Sequence, residues 1–409
     1  MTPKKKNPIL RTRLPTLPPA ARSRIALGLT AAAALGRFEL QQCLQCGTVQ
    51  YPPREACQKC LSIRLAWKAQ SGEGELLAST VLHHSNDLFF RERLPWRLGL
   101  VRLACGPTVV AHLHADVPAA PCPVRAAVRL DRAGQAVLVG LPDKEDVNMA
   151  EDRQLREFTC DPKFRKILVT DGKTALGQAL VRALAAAGAE LIWVGHTEPW
   201  KKFAGFDDLQ KIPQVTLVPL DVTDSKNVRE LAAEIGAKVD ILVNNAEHHR
   251  TSGISNRHGV ETARAEMDVN YFGLLRLAQE FGPVMRARGA DGLASAVAWV
   301  NLLSIYALAN FPPHGTFSAS KAAAQSLAQC LRAEMRPAGV RVINVFPGPI
   351  DDEWNQLLPP PKLAPAALAN AIVKALREGL EDLYPGDVAQ EWLERWRDNP
   401  KALEKELSS

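Results

Sequence analysis

Two hydrophobic rhythms divide this chain. From residue 165 onward, continuous apolar runs (RKILVT, ELIWVG, TLVPLDV, VDILVNNA, AVAWVNLLS and GVRVINVFPG) recur between Ala- and Leu-rich segments such as ALGQALVRALAAAG and VRELAAEIG. Apolar runs without alternation mark strands covered on both faces, and the helical segments between them supply the cover. The pattern predicts an α/β, doubly wound parallel sheet over 165–409. Between 66 and 141 the runs are shorter and broken by Gly, Pro and Asp: GELLASTVLHHS, RLGLVRLACG, PTVVAHLHA and QAVLVGLP. These predict a small all-β unit. The polar, unpatterned stretch 142–164 reads as a linker. Residues 1–40 read as a basic, Pro-rich arm followed by an Ala-rich docking helix over IALGLTAAAALG (25–36).

Composition changes this picture little. The chain has 409 residues and a formal net charge of +6, spread evenly except for the N-terminal arm. There is no basic stripe to make nucleic acid the default partner. Basic residues ahead of 25–36 imitate a secretory leader, but five prolines precede that run and no small-residue cleavage site follows it. No apolar stretch approaches the roughly 20 residues that span a bilayer, so no membrane association is expected. Eight cysteines, four of them in two Cys-x-x-Cys pairs, fit a reducing compartment with a metal better than a disulfide framework. A cytoplasmic location is expected.

The cysteine pairs are the sharpest chemical signal. Cys43-Leu-Gln-Cys46 and Cys57-Gln-Lys-Cys60 form a Cys-x2-Cys-x10-Cys-x2-Cys pattern over 41–65. Each short spacing lets two thiolates converge, and four close a tetrahedral shell around Zn²⁺ without an open position for water. Such a zinc is structural; iron in a rubredoxin-like site, or four redox or buried thiols, are the alternatives.

The segment FELQQCLQCGTVQYPPREACQKC, with its Cys pairs, the intervening YPPR and the Gly-x-Gly that begins the next strand, resembles a known family over about residues 20–141. That family is the rubredoxin-like zinc ribbon plus OB-fold family long labelled domain of unknown function thirty-five. The resemblance implies a zinc ribbon (41–65) and an OB-fold β-barrel (66–141). It also implies a thiolase or thiolase-like protein as partner, and acyl-CoA compounds as the chemistry served indirectly. An OB barrel alone would suggest oligonucleotides, but no set of stacking aromatics on basic strands is evident.

Residues 165–409 resemble the short-chain dehydrogenase/reductase family, whose Rossmann-type first turn reads Thr-Gly-x-x-x-Gly-x-Gly. Here Thr170 and Gly177 match, while Asp171 and Ala175 stand at the other two glycines. Glycines in such a turn let the backbone approach a pyrophosphate resting on the helix N-terminus. An Asp carboxylate there repels that anion, or takes its place by capping the helix. NAD(P) binding is therefore doubtful. The other landmarks follow in order: Asp221 and Val222 at the adenine position, Asn245 in NNAE with Glu247 replacing a Gly, Asn270, Ser304, Lys321 and the FPGPI turn.

The resemblance implies catalysis by a Tyr hydroxyl one helical turn before the Lys, with the Ser polarising a carbonyl. In HGTFSASKAAAQ that Tyr position is Phe317, which has no proton to give. Tyr306 and His314 are the nearby substitutes, and neither has the i, i+4 relation to Lys321. No catalytic set is intact, and Asn270, Ser304 and Lys321 read as relics. His248 and His249 read as an exposed loop rather than a metal site, and Trp193 with the other seven tryptophans as core or interface.

These losses together suggest a non-catalytic scaffold subunit of an acyl-CoA thiolase or aldolase assembly in β-oxidation-type degradation, a homo- or hetero-oligomer. Its dehydrogenase-like half would pair with an intact short-chain dehydrogenase subunit. The alternative is an NAD(P)-dependent 3-hydroxyacyl-CoA dehydrogenase or 3-oxoacyl reductase with an atypical active site.

Overall fold

The computed structural model describes residues 15–144, 147–251, 253–255 and 258–408. Residues 1–14 of the basic arm expected at the start of the chain lie outside the described residues. The chain divides into two compact units: residues 16–161 with 376–381, and residues 162–375 with 382 onward. No described helix is long and apolar enough to cross a membrane.

The first unit opens with helix α1 (Leu27–Ala34), which buries Leu29, Ala32 and Ala33. Leu29 and Ala33 join the core of the barrel that follows, so this helix is an internal part of its own unit. Gly28 lets the helix lie against Trp67, whose indole would be only 2.3 Å from a Cβ at that position. Strands β1 (Glu39–Cys43), β2 (Val49–Gln50) and β3 (Leu65–Ala69) form an antiparallel sheet in the order β2-β1-β3.

Five strands close the barrel: β4 (Glu73–Leu82), β5 (Trp96–Leu103), β6 (Thr108–Leu113), β7 (Cys122–Leu130) and β8 (Ala136–Pro142), in the order β4-β5-β6-β8-β7. β6 and β8 run parallel and the other pairs antiparallel, the connectivity of an OB-fold. The sequence pattern yields four of these strands and misses β7, although its Val124, Ala126, Val128 and Leu130 alternate inward as a barrel strand requires. Small Ala and interleaved Arg mask that alternation.

The expected linker is also different in the structure. Met149, Leu155 and Phe158 are buried in one cluster with Phe89, Trp96, Val139 and Leu141, so this stretch is a strap packed on the barrel. Its apolar residues are too sparse to show a period. The unit boundary falls at 161/162.

The second unit is built on a parallel sheet of seven strands among the described residues: β9 (Lys166–Val169), β10 (Leu191–His196), β11 (Val215–Pro219), β12 (Ile241–Asn244), β13 (Ala298–Leu302), β14 (Arg341–Val345) and β15 (Asp382–Leu383). Their order is β11-β10-β9-β12-β13-β14-β15, reversing direction of travel beside β9. In such sheets the crevice beyond the carboxyl ends of the strands at the switch point is where ligands bind. β15, with two residues, is too short to be read from sequence. The site lies among helices α2 (Ala175–Ala186), α3 (Glu261–Met267), α4 (Leu274–Ala287) and α5 (Gly315–Met335). Between α3 and α4 the helix widens into a π-turn over Asp268–Gly273, and this turn carries Asn270.

Candidate functional site

Two knuckles of the same design hold the cysteines. The amide of Gly47 donates to the Cys43 carbonyl and that of Leu61 to the Cys57 carbonyl, each at 2.9 Å. Gly47 and Leu61 both have left-handed backbone (φ +72° and +61°), which turns the chain back beneath its thiol pair. The four Sγ atoms of Cys43, Cys46, Cys57 and Cys60 lie within 4.8 Å of one another, with Cys43–Cys60 and Cys46–Cys57 at 3.6 Å. A tetrahedron with Zn–S bonds of about 2.3 Å has edges of about 3.8 Å, so this donor set fits a closed, structural zinc. It is the single cluster of metal-ligating side chains among the described residues.

At the carboxyl edge of the parallel sheet, a cleft of about 660 Å³ opens over the β9 turn. Thr170 and Asn245 tie this turn to the end of β12: the Asp171 amide donates to Asn245 Oδ1 at 3.0 Å, and Asn245 Nδ2 donates to the Asp171 carbonyl at 2.6 Å. The Thr170 hydroxyl accepts from the amides of Asn245 and Ala246. The first turn of α2 is capped by Thr174, whose Oγ1 accepts from the Gly177 amide at 3.1 Å. Asp171 therefore does not cap the helix; its carboxylate instead accepts from the Lys173 amide at 2.7 Å. Burial raises the Asp171 carboxyl above its usual range, an effect opposed by that amide bond. Gly177 has a local reason to persist: a Cβ there would lie 2.0 Å from the Asp171 carbonyl oxygen. Ala175, at the first position of α2, is exposed and meets no such obstacle.

Farther along the cleft, the Asp221 carboxylate accepts from the amide and hydroxyl of Thr223, and Val222 is buried beside it. His196, at the end of β10, is buried with its Nδ1 unbonded.

The inner end of the cleft carries the residues compared with the catalytic set. Lys321 is buried in α5; its Nζ donates to the Leu302 carbonyl at 2.9 Å and lies 2.7 Å from Glu247 Oε2. Phe317, one turn earlier, lies with its ring 5.4 Å from that ammonium. The Ser304 hydroxyl accepts from the Tyr306 amide at 3.2 Å. Asn270 brackets His248 by accepting from its amide at 3.0 Å and donating to its carbonyl at 2.9 Å.

His249 is buried, not an exposed loop residue, stacked on Phe317 with ring centroids 3.8 Å apart and hydrogen-bonded to His314. Burial, then the charges of His314 and Lys321, push the His249 pKa down to about 2. Burial alone pushes His314 down to about 4. Tyr306, which burial pushes above the usual phenol range, packs in the same cluster. Sequence reasoning missed Glu247 and His249 as partners of Lys321. The signal available was the charged residue at a position otherwise taken by Gly, followed by a pair of histidines.

Beyond Glu247, between Ser304, Phe317 and the Pro347–Ile350 turn, about 10 Å³ of space remains. That is room for one water at most. The set has a buried cation paired with a carboxylate, and a phenyl ring rather than a phenol four residues before it. The eight tryptophans do not share one role, since Trp96, Trp193 and Trp299 are core while Trp200 is 81% exposed.

A zinc ribbon, an OB barrel and a short-chain-dehydrogenase fold are thus joined in one chain. The comparisons agree: residues 30–64 match the ChsH2 rubredoxin-like zinc ribbon domain, 67–137 the ChsH2 C-terminal OB-fold domain, and 165–361 the short chain dehydrogenase family. The chain belongs to the short-chain dehydrogenases from residue 165 and carries ChsH2-type zinc ribbon and OB-fold domains ahead of it.

A short chain dehydrogenase from Burkholderia cenocepacia, solved in complex with NADP, is 35% identical, with a TM-score of 0.55 over 61% of this chain and 99% of that one. One from Streptomyces avermitilis is 25% identical, with a TM-score of 0.51 over 60% of this chain and 97% of that one. The mouse protein dehydrogenase/reductase SDR family member 7B is 32% identical over 190 residues, covering 44% of this chain; the chain spans 56% of that relative's length.

Proposed function

We propose that this chain is a non-catalytic partner subunit of an acyl-CoA thiolase or aldolase assembly in the cytoplasm, its dehydrogenase-like half pairing with an intact dehydrogenase. One observation carries the reading: the group one turn before Lys321 is Phe317, and the ammonium that would tune a phenol there is bound to Glu247 at 2.7 Å. The small space beyond Glu247, about 10 Å³, supports it, as do the ChsH2-type domains at the other end of the chain. Zinc in the ribbon serves the fold of the partner-binding half.

The test has two parts. The purified chain, given a 3-hydroxyacyl-CoA with NAD⁺ or NADP⁺ and the reverse pair, should show no turnover. Isolated by a tag from its own cells, it should carry a thiolase-type chain in stoichiometric amount. A chain that purifies alone and oxidises the substrate overturns the proposal.

A second reading has its own support. The open 660 Å³ cleft and the NADP complex of the 35%-identical relative favour a working NAD(P)-dependent 3-hydroxyacyl-CoA dehydrogenase or reductase with an unusual proton donor. It predicts turnover that disappears in Lys321→Met or in Tyr306→Phe.

A further inference from the structure

Glu247 is the wall between two spaces. Its side chain lines both the 660 Å³ cleft and the 10 Å³ pocket beyond it. One carboxylate oxygen holds Lys321 at 2.7 Å and the other faces His249 Nδ1 at 3.8 Å. The lysine side chain is 2% exposed, so separating it from its counterion would leave a buried charge unanswered. A neutral ligand hydroxyl offered to Lys321 would replace a charge-assisted contact with a weaker one. A second carboxylate, that of Asp171, already accepts from the Lys173 amide in the turn, so a ligand carrying a pyrophosphate meets negative charge at both places. The outer cleft is different: there His196, 6% exposed, lines an open space with its Nδ1 turned inward and buried.

We propose that Glu247 is the specificity-determining stopper of this cleft: its carboxylate occupies Lys321 and shuts the inner end against the nicotinamide half of a dinucleotide. The proposal rests on the non-catalytic reading and identifies the residue that enforces it. The block is local. Removing the Glu247 side chain joins the two spaces and frees the ammonium, while the turn, the cap and the sheet are untouched.

The experiment titrates the full chain and its Glu247→Gly variant with NADH and NADPH, reading energy transfer from tryptophan to nicotinamide; Trp354 lines the cleft and a Trp354→Phe control assigns the signal. Wild type should not saturate up to millimolar nucleotide, and Glu247→Gly should bind at least about 10-fold more tightly. Micromolar binding by wild type overturns the proposal. So does a folded Glu247→Gly no tighter than wild type. If the glycine variant fails to fold, Glu247→Gln decides, because it keeps the volume and removes the charge. It should shift binding in the same direction by a smaller factor, and an unchanged affinity overturns the proposal. Turnover by wild type is scored separately and bears on the non-catalytic reading. A wild type without turnover whose variants gain no affinity sinks the role of Glu247 alone.

Discussion

Lys321 and Glu247 answer one another, and neither has another full charge within ion-pair distance among the described residues. Replacing Lys321 alone by Met should therefore destabilise the fold by about 3 kcal/mol, because the mostly buried Glu247 carboxylate loses its partner; Lys321→Met with Glu247→Gln should recover most of it. Urea midpoints of the two variants check this. Phe317→Tyr alone should not yield turnover above background in an NADPH-oxidation assay with a 3-oxoacyl-CoA, since the restored hydroxyl meets a neutralised lysine and about 10 Å³ of space.

The paired histidines give a pH signature. His249 and His314 have folded pKa values near 2 and 4, below an unfolded value of about 6.5, so the unfolded chain binds more protons below that pH. Stability from both is complete above about pH 6.5 and falls toward pH 4. Asp352, raised to about 6 by burial and then by Glu247, acts oppositely between about pH 6 and 4. The net loss should be on the order of 1 kcal/mol per pH unit below about 6, read by denaturation at stepped pH, and His249→Gln should flatten it.

At the scale of elements, Gly177 shows a motif glycine that the turn itself requires. Its Cβ would strike the Asp171 carbonyl at 2.0 Å, so the turn and α2 demand glycine for their own approach. Gly177→Ala should cost about 2–3 kcal/mol and Thr174→Ala, which removes the cap, about 1 kcal/mol, both measurable as shifts in urea midpoint. The six longer strands of the second unit were legible because all but the edge strand β11 are buried on both faces and each reads as an apolar run. β7 and β15 were not: one alternates through alanines, and the other has two residues. The site was half legible. Phe317 and Asp171 stand out in sequence as departures from the family's pattern, whereas the Glu247–Lys321 pair joins residues 74 positions apart and needs the fold to bring them together.

For the whole molecule, the ribbon and barrel share one core: Leu40 of β1 is buried with barrel residues, and Val49, Tyr51 and Trp67 pack against them. Zinc removal should therefore be felt beyond the knuckles. Metal analysis should find one zinc per chain, and chelation or Cys43→Ser with Cys46→Ser should lower the melting temperature and red-shift Trp67 emission. The Cys spacing made the metal legible, while the strap at 147–158 hid because its few apolar residues act one by one.

A dehydrogenase that binds its nucleotide is held together partly by that nucleotide, and its lifetime in the cell follows the nucleotide pool. Here the carboxylate on Lys321 belongs to the same chain, present at one copy per site and never diluted. If, as proposed, the chain takes no nucleotide, the polypeptide alone sets its folded population, and starvation or redox stress that empties its relatives should leave its abundance unchanged.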